Sequence, residues 1–125
     1  MTLESIISQD LDNAELIVID GGSDFETIEI LNNYSSIITH LISENDKGIY
    51  DAMNKGIKLA KGKWLNFMNA GDRYFSKNTL KELSDDESFS DQDLVIGETL
   101  ISYDDFERKM RVGNLQDIWK GAQFI

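Results

Sequence analysis

The chain has 125 residues, of which 41% are hydrophobic and 28% charged, a balance typical of a folded domain rather than a disordered segment. It contains no cysteine, which excludes disulfides and thiolate metal sites and is compatible with a reducing cytoplasm. Its net charge of −11 excludes nucleic acid as a favoured partner, because that binding relies on lysine and arginine to neutralise phosphates.

The chain opens with a pattern of helices alternating with strands. Apolar residues at helical spacing predict a helix over residues 2–9. The continuous apolar run at residues 15–20 is typical of a strand buried on both faces. Ser23 and Glu26 have the spacing of a capping box, which predicts that the next helix begins at Ser23.

The same alternation continues to residue 68. A second strand is predicted over residues 37–42, with His40 as a partly buried structural residue. Apolar residues spaced by three and four then predict a helix over residues 49–60. A third strand is predicted over residues 64–68, where Trp64 and Phe67 would belong to the core, so the strands and helices together favour a mostly parallel sheet.

Beyond residue 76 the pattern weakens. It predicts a helix over residues 77–84, a solvated acidic loop over 84–93 and a fourth strand over 93–97. Residues 100–112 are typical of a hairpin with an Asp-Asp turn, and a short helical turn is expected at residues 117–121.

Acidic side chains follow three of the predicted strands. Asp20 ends the first, Glu44 and Asp46 follow the second, and Asp72 follows the third. Right-handed crossovers place the carboxyl ends of parallel strands at one edge, where ligands of open α/β sheets bind. Three loops far apart in sequence would therefore deliver carboxylates to one crevice.

Four sequence blocks in this order resemble glycosyltransferase family 2, the inverting nucleotide-sugar enzymes of the GT-A fold: TLESIISQ, ELIVIDGGS, DKGIYDAMNKGIKLAKG and WLNFMNAGD. The third block is similar to the bacterial polysaccharide branch that includes colanic-acid-type enzymes. The resemblance implies an α/β, Rossmann-like three-layer fold with a mostly parallel sheet. It implies a single partial domain over residues 1–125, incomplete at both termini. Residues 2–75 would bind the nucleotide sugar, and residues 76–125 would begin the acceptor side.

The resemblance implies transfer of a sugar from a nucleotide sugar, a UDP-sugar by first choice, to a glycan or lipid-linked acceptor in polysaccharide biosynthesis. Such an enzyme is expected in the cytoplasm, and a peripheral association with the inner face of the membrane is left open. The alternative is a non-catalytic nucleotide-binding or interaction module that kept the scaffold. Gly21, Asn69 and Gly71 favour this alternative, since the family has acids at these positions.

The resemblance also implies a set of ligand-binding residues. Those expected at the nucleotide sugar are Asp20, Gly22, Ser23, Asp46, Lys47 and Asn54. Asp72 is the carboxylate left in the block that matches the family's metal cluster, so it would hold Mg²⁺ or Mn²⁺ together with the diphosphate. No residue matches the family's catalytic base, and the catalytic residues stay unassigned.

Most of these residues also have plainer interpretations. Ser23 would then cap a helix, Asp46 would cap the helix over 49–60, and Asp72 would close a turn. Lys47 would be an exposed turn residue, and Asn54 would belong to a solvated helix face.

In the GT-A fold another strand lies between those matching residues 15–20 and 64–68, and the chain shows no match to it. Unpaired buried backbone groups cost about 1–3 kcal/mol each, so an open slot should not persist. The two strands could pair directly, residues 100–112 could fill the slot, or a second chain could supply a strand. We expect the first or the third route, and hence self-association.

Overall fold

The computed structural model describes residues 2–9, 14–89, 91–95, 99–102 and 107–110. The chain divides into two compact units, Met1–Glu82 and Leu83–Ile125. The helical turn predicted at residues 117–121 lies outside the described residues. No described helix has both the length and the apolar composition needed to cross a membrane.

Every helix predicted within the described residues is present, with ends shifted by a few positions. The elements of the chain, in order, are α1 (Thr2–Ile7), β1 (Ile17–Asp20), α2 (Phe25–Asn33), β2 (His40–Ser43), α3 (Ile49–Leu59), α4 (Thr79–Asp85), a 3₁₀ helix (Glu87–Phe89), β3 (Thr99–Ser102) and β4 (Glu107–Met110).

The centre of the first unit is a parallel pair of strands. β1 pairs with β2 from Ile17 opposite His40 to Asp20 opposite Ser43, and α2 makes the crossover between them. α3 packs on β1, where a side chain at Gly56 would approach Ile19 to 3.7 Å. The predicted βαβ unit is therefore confirmed, and both strands end at the same edge.

The hydrophobic core of this unit is thin. Leu31 on α2 is 8% exposed and is the most buried apolar side chain among the described residues. Ile49 and Ile57, which belong to the predicted apolar stripe of α3, remain 51% and 45% exposed. His40 at the start of β2 is half-buried, as expected of a structural histidine.

The predicted start of α2 is wrong by one residue. Asp24, not Ser23, is the N-cap, and its carboxylate accepts hydrogen bonds from the Thr27 N–H (3.0 Å) and hydroxyl (2.9 Å). The physical reason is local competition. The Ser23 hydroxyl, the group that would cap the helix, is hydrogen-bonded to Asp20 at the end of β1, and the Ser23 N–H donates to the same carboxylate.

The third strand, predicted over residues 64–68, is also wrong. These residues are described and form no strand, and the side chains of Trp64 and Phe67 are 43% and 50% exposed rather than in the core. An apolar run shows a preference for burial, but a strand needs a neighbour to pair its peptide groups, and β1 pairs only with β2 among the described residues. Direct closure of the two strands is therefore wrong, whereas pairing with a second chain stays a prediction.

The second unit contains the hairpin that was predicted. β3 and β4 pair antiparallel, with Thr99 opposite Met110 and Ser102 opposite Glu107, and the predicted Asp-Asp turn between them lies outside the described residues. Residues 93–95 do not form the predicted fourth strand, whose other residues lie outside the described part of the chain. The acidic loop begins with the last residues of α4 and includes the 3₁₀ helix.

Candidate functional site

The loop after β1 is organised around the buried carboxylate of Asp20. Asp20 is 8% exposed, and its Oδ2 accepts hydrogen bonds from the N–H groups of Gly22 (3.2 Å) and Ser23 (3.0 Å). The Ser43 hydroxyl at the end of β2 donates to the same oxygen at 2.7 Å. One carboxylate therefore joins the ends of both parallel strands.

These contacts favour the ionised form of Asp20. Hydrogen bonds from the Ser23 and Ser43 hydroxyls hold the pKa of the carboxyl below its usual value, and burial opposes them without prevailing. The negative charge of Asp20 is thus stabilised by hydrogen bonds from within the protein. Asp20 fixes the conformation of the loop after β1 through these hydrogen bonds. Its contact with a nucleotide remains a prediction, and its side chain is mostly buried.

The loop after β2 packs directly against the loop after β1. A side chain at Gly21 would stand 2.6 Å from Oδ2 of Asp46, and one at Gly22 would overlap the side-chain oxygen of Asn45. Gly22 also has φ of +93°, which favours glycine. The carboxylate of Asp46 therefore occupies the space into which an acid at position 21 would have to extend.

The predicted capping of α3 by Asp46 is wrong. The N-cap is Gly48, at φ of +111° and with no side-chain capping bond, while Oδ1 of Asp46 accepts the Gly48 N–H at 2.8 Å. Asp51 reaches back from the first turn of α3 and accepts the Lys47 N–H at 3.1 Å. Since Gly48 can adopt a backbone conformation that other residues avoid, the chain turns into α3 two residues later than capping by Asp46 would require.

The two lysines near this edge, Lys47 and Lys55, differ in whether their side chains are paired with acidic residues. Nζ of Lys55 lies 2.9 Å from Glu44 and 3.6 Å from Asp51, and its hydrogen bond to Glu44 raises the pKa of Lys55. Lys47, by contrast, is exposed, and its N–H group is anchored to Asp51. Asn54 is exposed on α3. The side chains of Lys47 and Asn54 can therefore reach a ligand without breaking a described ion pair.

Asp72 lies in a tight turn over residues 69–72. Its N–H donates to the Asn69 carbonyl at 3.1 Å, and its Oδ2 accepts the Asn69 N–H at 3.3 Å. Gly71 has φ of +99°, as the third residue of a type II turn requires, which explains why a larger residue is absent there. The prediction that Asp72 closes a turn is confirmed, and its carboxylate remains exposed.

The structure brings five of the seven predicted site residues together, while Asn54 lies on α3 outside the two loops and Asp72 lies in a separate turn. Asp20, Gly22, Ser23 and Asp46 lie in two loops in contact, and Lys47 follows directly. The turn of Asp72 is bound to α1 instead, and no described hydrogen bond or ion pair joins Asp72 to the loops after β1 and β2. Ser43, Asn45 and Gln9 were not predicted, although polar residues flanking a predicted strand or helix could have indicated them.

The described residues offer few grouped ligands for a divalent cation. Within the described ranges, no three His, Cys, Asp or Glu side chains are grouped so that they could hold a metal ion. Asp72 supplies a single exposed carboxylate, one oxygen of which is shared with the turn. Mg²⁺ is often held by one or two carboxylates together with phosphate oxygens. The residues therefore fit a cation that arrives with a diphosphate, and they do not form a complete cage of protein ligands.

Comparison with known proteins gives a consistent result. The sequence model of the family described as glycosyl transferase family 2 matches residues 1–124. A PGL/p-HBAD biosynthesis glycosyltransferase of Mycobacterium tuberculosis is 39% identical over 87 residues, which cover 66% of this chain and 33% of the relative. An uncharacterized glycosyltransferase of Rickettsia prowazekii is 30% identical over 94 residues, which cover 75% of this chain and 29% of the relative.

A second protein of Mycobacterium tuberculosis, also an uncharacterized glycosyltransferase, is 43% identical over 60 residues, covering 48% of this chain and 23% of the relative. The matched part of the chain thus spans about a third or less of the length of these relatives. No solved structure gives a significant match.

Proposed function

Because the chain belongs to glycosyltransferase family 2, we propose that the whole protein transfers a sugar from a nucleotide-sugar donor to a glycan or lipid-linked acceptor. The family has the Rossmann-like GT-A fold, and the described βαβ unit is part of that architecture. The proposal includes a UDP-sugar as donor, inversion at the anomeric carbon, and a role in polysaccharide biosynthesis. The proposed location is the cytoplasm, and the proposal leaves open a peripheral association of the protein with the inner face of the membrane.

One observation carries the proposal beyond family membership. The loops after β1 and β2 are packed together at the carboxyl edge of a parallel pair, with Gly21 against Asp46 and Gly22 against Asn45. Ligands of open α/β sheets bind at such an edge. We assign the nucleotide to these two loops, where Asp20, Gly22, Ser23 and Asp46 set the shape and Lys47 and Asn54 present exposed side chains.

The start of α3 supports an anionic ligand. α3 has 11 residues, and its N-cap residue Gly48 provides no side-chain hydrogen bond to the first turn. Peptide N–H groups at a helix start attract phosphates, and the neighbouring Lys47 adds an exposed positive charge. This local attraction matters because the whole chain carries a net charge of −11, which repels a nucleotide.

An inverting transfer requires a base for the acceptor hydroxyl and stabilisation of the leaving diphosphate. Among the described residues, Asp72 would contribute to the second requirement, the stabilisation of the leaving diphosphate. A Mg²⁺ or Mn²⁺ ion at Asp72, when bound, would offset the charge of the diphosphate. Asp72 would hold it through an exposed carboxylate, and the base is left unassigned.

The binding experiment measures UDP affinity by calorimetry with Mn²⁺, and again with EDTA. We expect binding to require the cation and to be lost in Asp72→Ala. Glu29→Ala is the matched control, because Glu29 is an exposed acid on α2 and its removal changes the net charge equally. Equal UDP affinity of wild type and Asp72→Ala, with or without EDTA, would refute the metal role.

A second candidate function is binding without catalysis. It is favoured by the single carboxylate at Asp72 and by the saturation of Asp20 with internal hydrogen bonds. A donor-hydrolysis assay separates the two functions, since a binding module releases no UDP. Acceptor-dependent release of UDP above a heat-killed control would support transfer, and a protein that binds UDP without releasing any from the donor would support the binding module.

A further inference from the structure

The first helical segment carries polar side chains along one face. Thr2, Ser5 and Gln9 are separated by three and four residues, so they lie above one another along the helix direction. Each makes hydrogen bonds to the backbone of residues 71–80, which lie 67–71 positions away in the chain. We call these three side chains the polar stripe.

Two members of the polar stripe hold the backbone on either side of Asp72. The Gly71 N–H donates to Oγ1 of Thr2 at 2.9 Å, and the Tyr74 N–H donates to Oγ of Ser5 at 3.3 Å. The Ser5 hydroxyl itself donates to the Thr2 carbonyl at 2.9 Å. Since its proton is used within α1, the oxygen lone pairs of Ser5 are left to accept from Tyr74.

Gln9 extends the attachment to the start of α4. It is 6% exposed, its Nε2 donates to the Ser76 carbonyl at 2.7 Å, and its Oε1 accepts the Leu80 N–H at 3.1 Å. Leu80 is the second residue of α4, so its N–H is one that a helix start leaves without an internal partner. A buried amide satisfied at both ends fixes the distance between α1 and this backbone.

Asp72 is bracketed by these contacts but takes no part in them. Its own hydrogen bonds are to Asn69 within the turn, and its side chain is exposed. We propose that Thr2, Ser5 and Gln9 are positioning residues that set the conformation of the turn over residues 69–72 and so present the Asp72 carboxylate to a ligand.

This inference rests on the role of Asp72 in the proposed function. The physical gain is preorganisation, because a turn that is already ordered loses less conformational freedom when a cation and a diphosphate bind. The turn cannot obtain this order from a sheet, since residues 64–68 form no strand and residues 65–69 lack regular structure. α1 provides it instead, through side chains that meet the backbone.

The test compares Thr2→Val, which removes the accepting hydroxyl, with Thr2→Ser, which restores it. The probe is UDP with Mn²⁺, and the readouts are its affinity and the hydrogen exchange of residues 69–74. Losing one hydrogen bond in Thr2→Val should weaken binding by roughly 3- to 10-fold and speed exchange in the turn. Thr2→Ser should stay within about twofold of wild type. Ser8→Ala is the control, because the hydrogen bond described for the Ser8 hydroxyl is to the nearby Ser5 carbonyl (2.8 Å) and not to residues 71–80.

The outcomes separate this inference from the proposed function. If Asp72→Ala abolishes binding while Thr2→Val leaves affinity and exchange unchanged, the polar stripe does not position the turn. Failure of Thr2→Ser to recover affinity also overturns it. If Asp72→Ala leaves binding intact, the metal role is lost, and with it the presentation of Asp72 to a ligand. Faster exchange of residues 69–74 in Thr2→Val would then support only the ordering of the turn by the polar stripe, and unchanged exchange would refute that as well. Residues 17–20 serve as the internal reference, where no variant should alter exchange.

Discussion

The loops after β1 and β2 and the turn over residues 69–72 both carry a carboxylate, but they use it in opposite ways. Asp20 is buried and accepts hydrogen bonds from Gly22, Ser23 and Ser43. Asp72 is exposed and bonds only within its turn among the described contacts. A carboxylate saturated by the protein builds the site, whereas an exposed one is available to a ligand. The difference predicts separate effects on stability and binding.

The largest expected loss of stability is for Asp20→Ala. It leaves the Ser43 hydroxyl and two backbone N–H groups without their partner, which should lower the free energy of unfolding by about 2–3 kcal/mol. Urea denaturation measures the change, with Glu29→Ala as the matched exposed acid. A loss below about 0.5 kcal/mol, the range of ordinary surface substitutions, would contradict the structural role.

The same carboxylate predicts a pH dependence. Hydrogen bonds from Ser23 and Ser43 lower the pKa of Asp20 in the folded state, so the unfolded state binds its proton first as the pH falls. The stabilisation is therefore present above the unfolded pKa of about 3.9 and is lost below it, as the pH falls through the lower folded value.

The measurement compares urea midpoints at pH 7 and about pH 3 for wild type and Asp20→Asn. Asp51 and Asp86, whose pKa values are also lowered by hydrogen bonds, are present in both proteins and cancel in the comparison. The pKa of Asp24 is lowered chiefly by hydrogen bonds from Thr27, and the charge of Asp20 opposes this lowering, so Asp24 cancels only in part. Wild type should lose more stability than the variant on acidification. Equal losses would show that Asp20 does not carry this dependence.

A smaller effect is expected where the two loops touch. Gly21→Ala places a methyl group 2.6 Å from Oδ2 of Asp46, which must move and disturb its bond to Gly48, at a cost of roughly 1 kcal/mol. In an Asp46→Ala background the same substitution should cost nearly nothing. A double-mutant cycle measures this coupling, and additive effects would mean that the loops are not packed as described.

The smallest stability effect is expected for Asp72→Ala. The carboxylate is exposed and makes one 3.3 Å bond to Asn69, so its removal should change the free energy of unfolding by less than about 0.5 kcal/mol. Combined with the expected loss of Mn²⁺-dependent UDP binding, this would sharpen the contrast with Asp20. A loss of stability as large as that of Asp20→Ala would remove the contrast altogether.

Some features were predictable because they depend on neighbours in sequence. The helices over residues 2–9 and 49–60 follow from apolar spacing, the strand ending at Asp20 from a continuous apolar run, and the turn at Asp72 from Asn-Ala-Gly-Asp. The resemblance of four ordered blocks indicated the family, and the match over residues 1–124 confirms it.

Other features depended on contacts between residues distant in the chain. The cap of α2 moved to Asp24 because Ser23 is bound to Asp20, and residues 64–68 form no strand because no described strand pairs with them. The attachment of Thr2 to Gly71 joins residues 69 positions apart, and no local pattern specifies it. Sequence determined which segments could be helices, strands and turns, because those preferences are local. Tertiary structure decided which carboxylate is buried and which is exposed, because burial is set by whatever folds against a group.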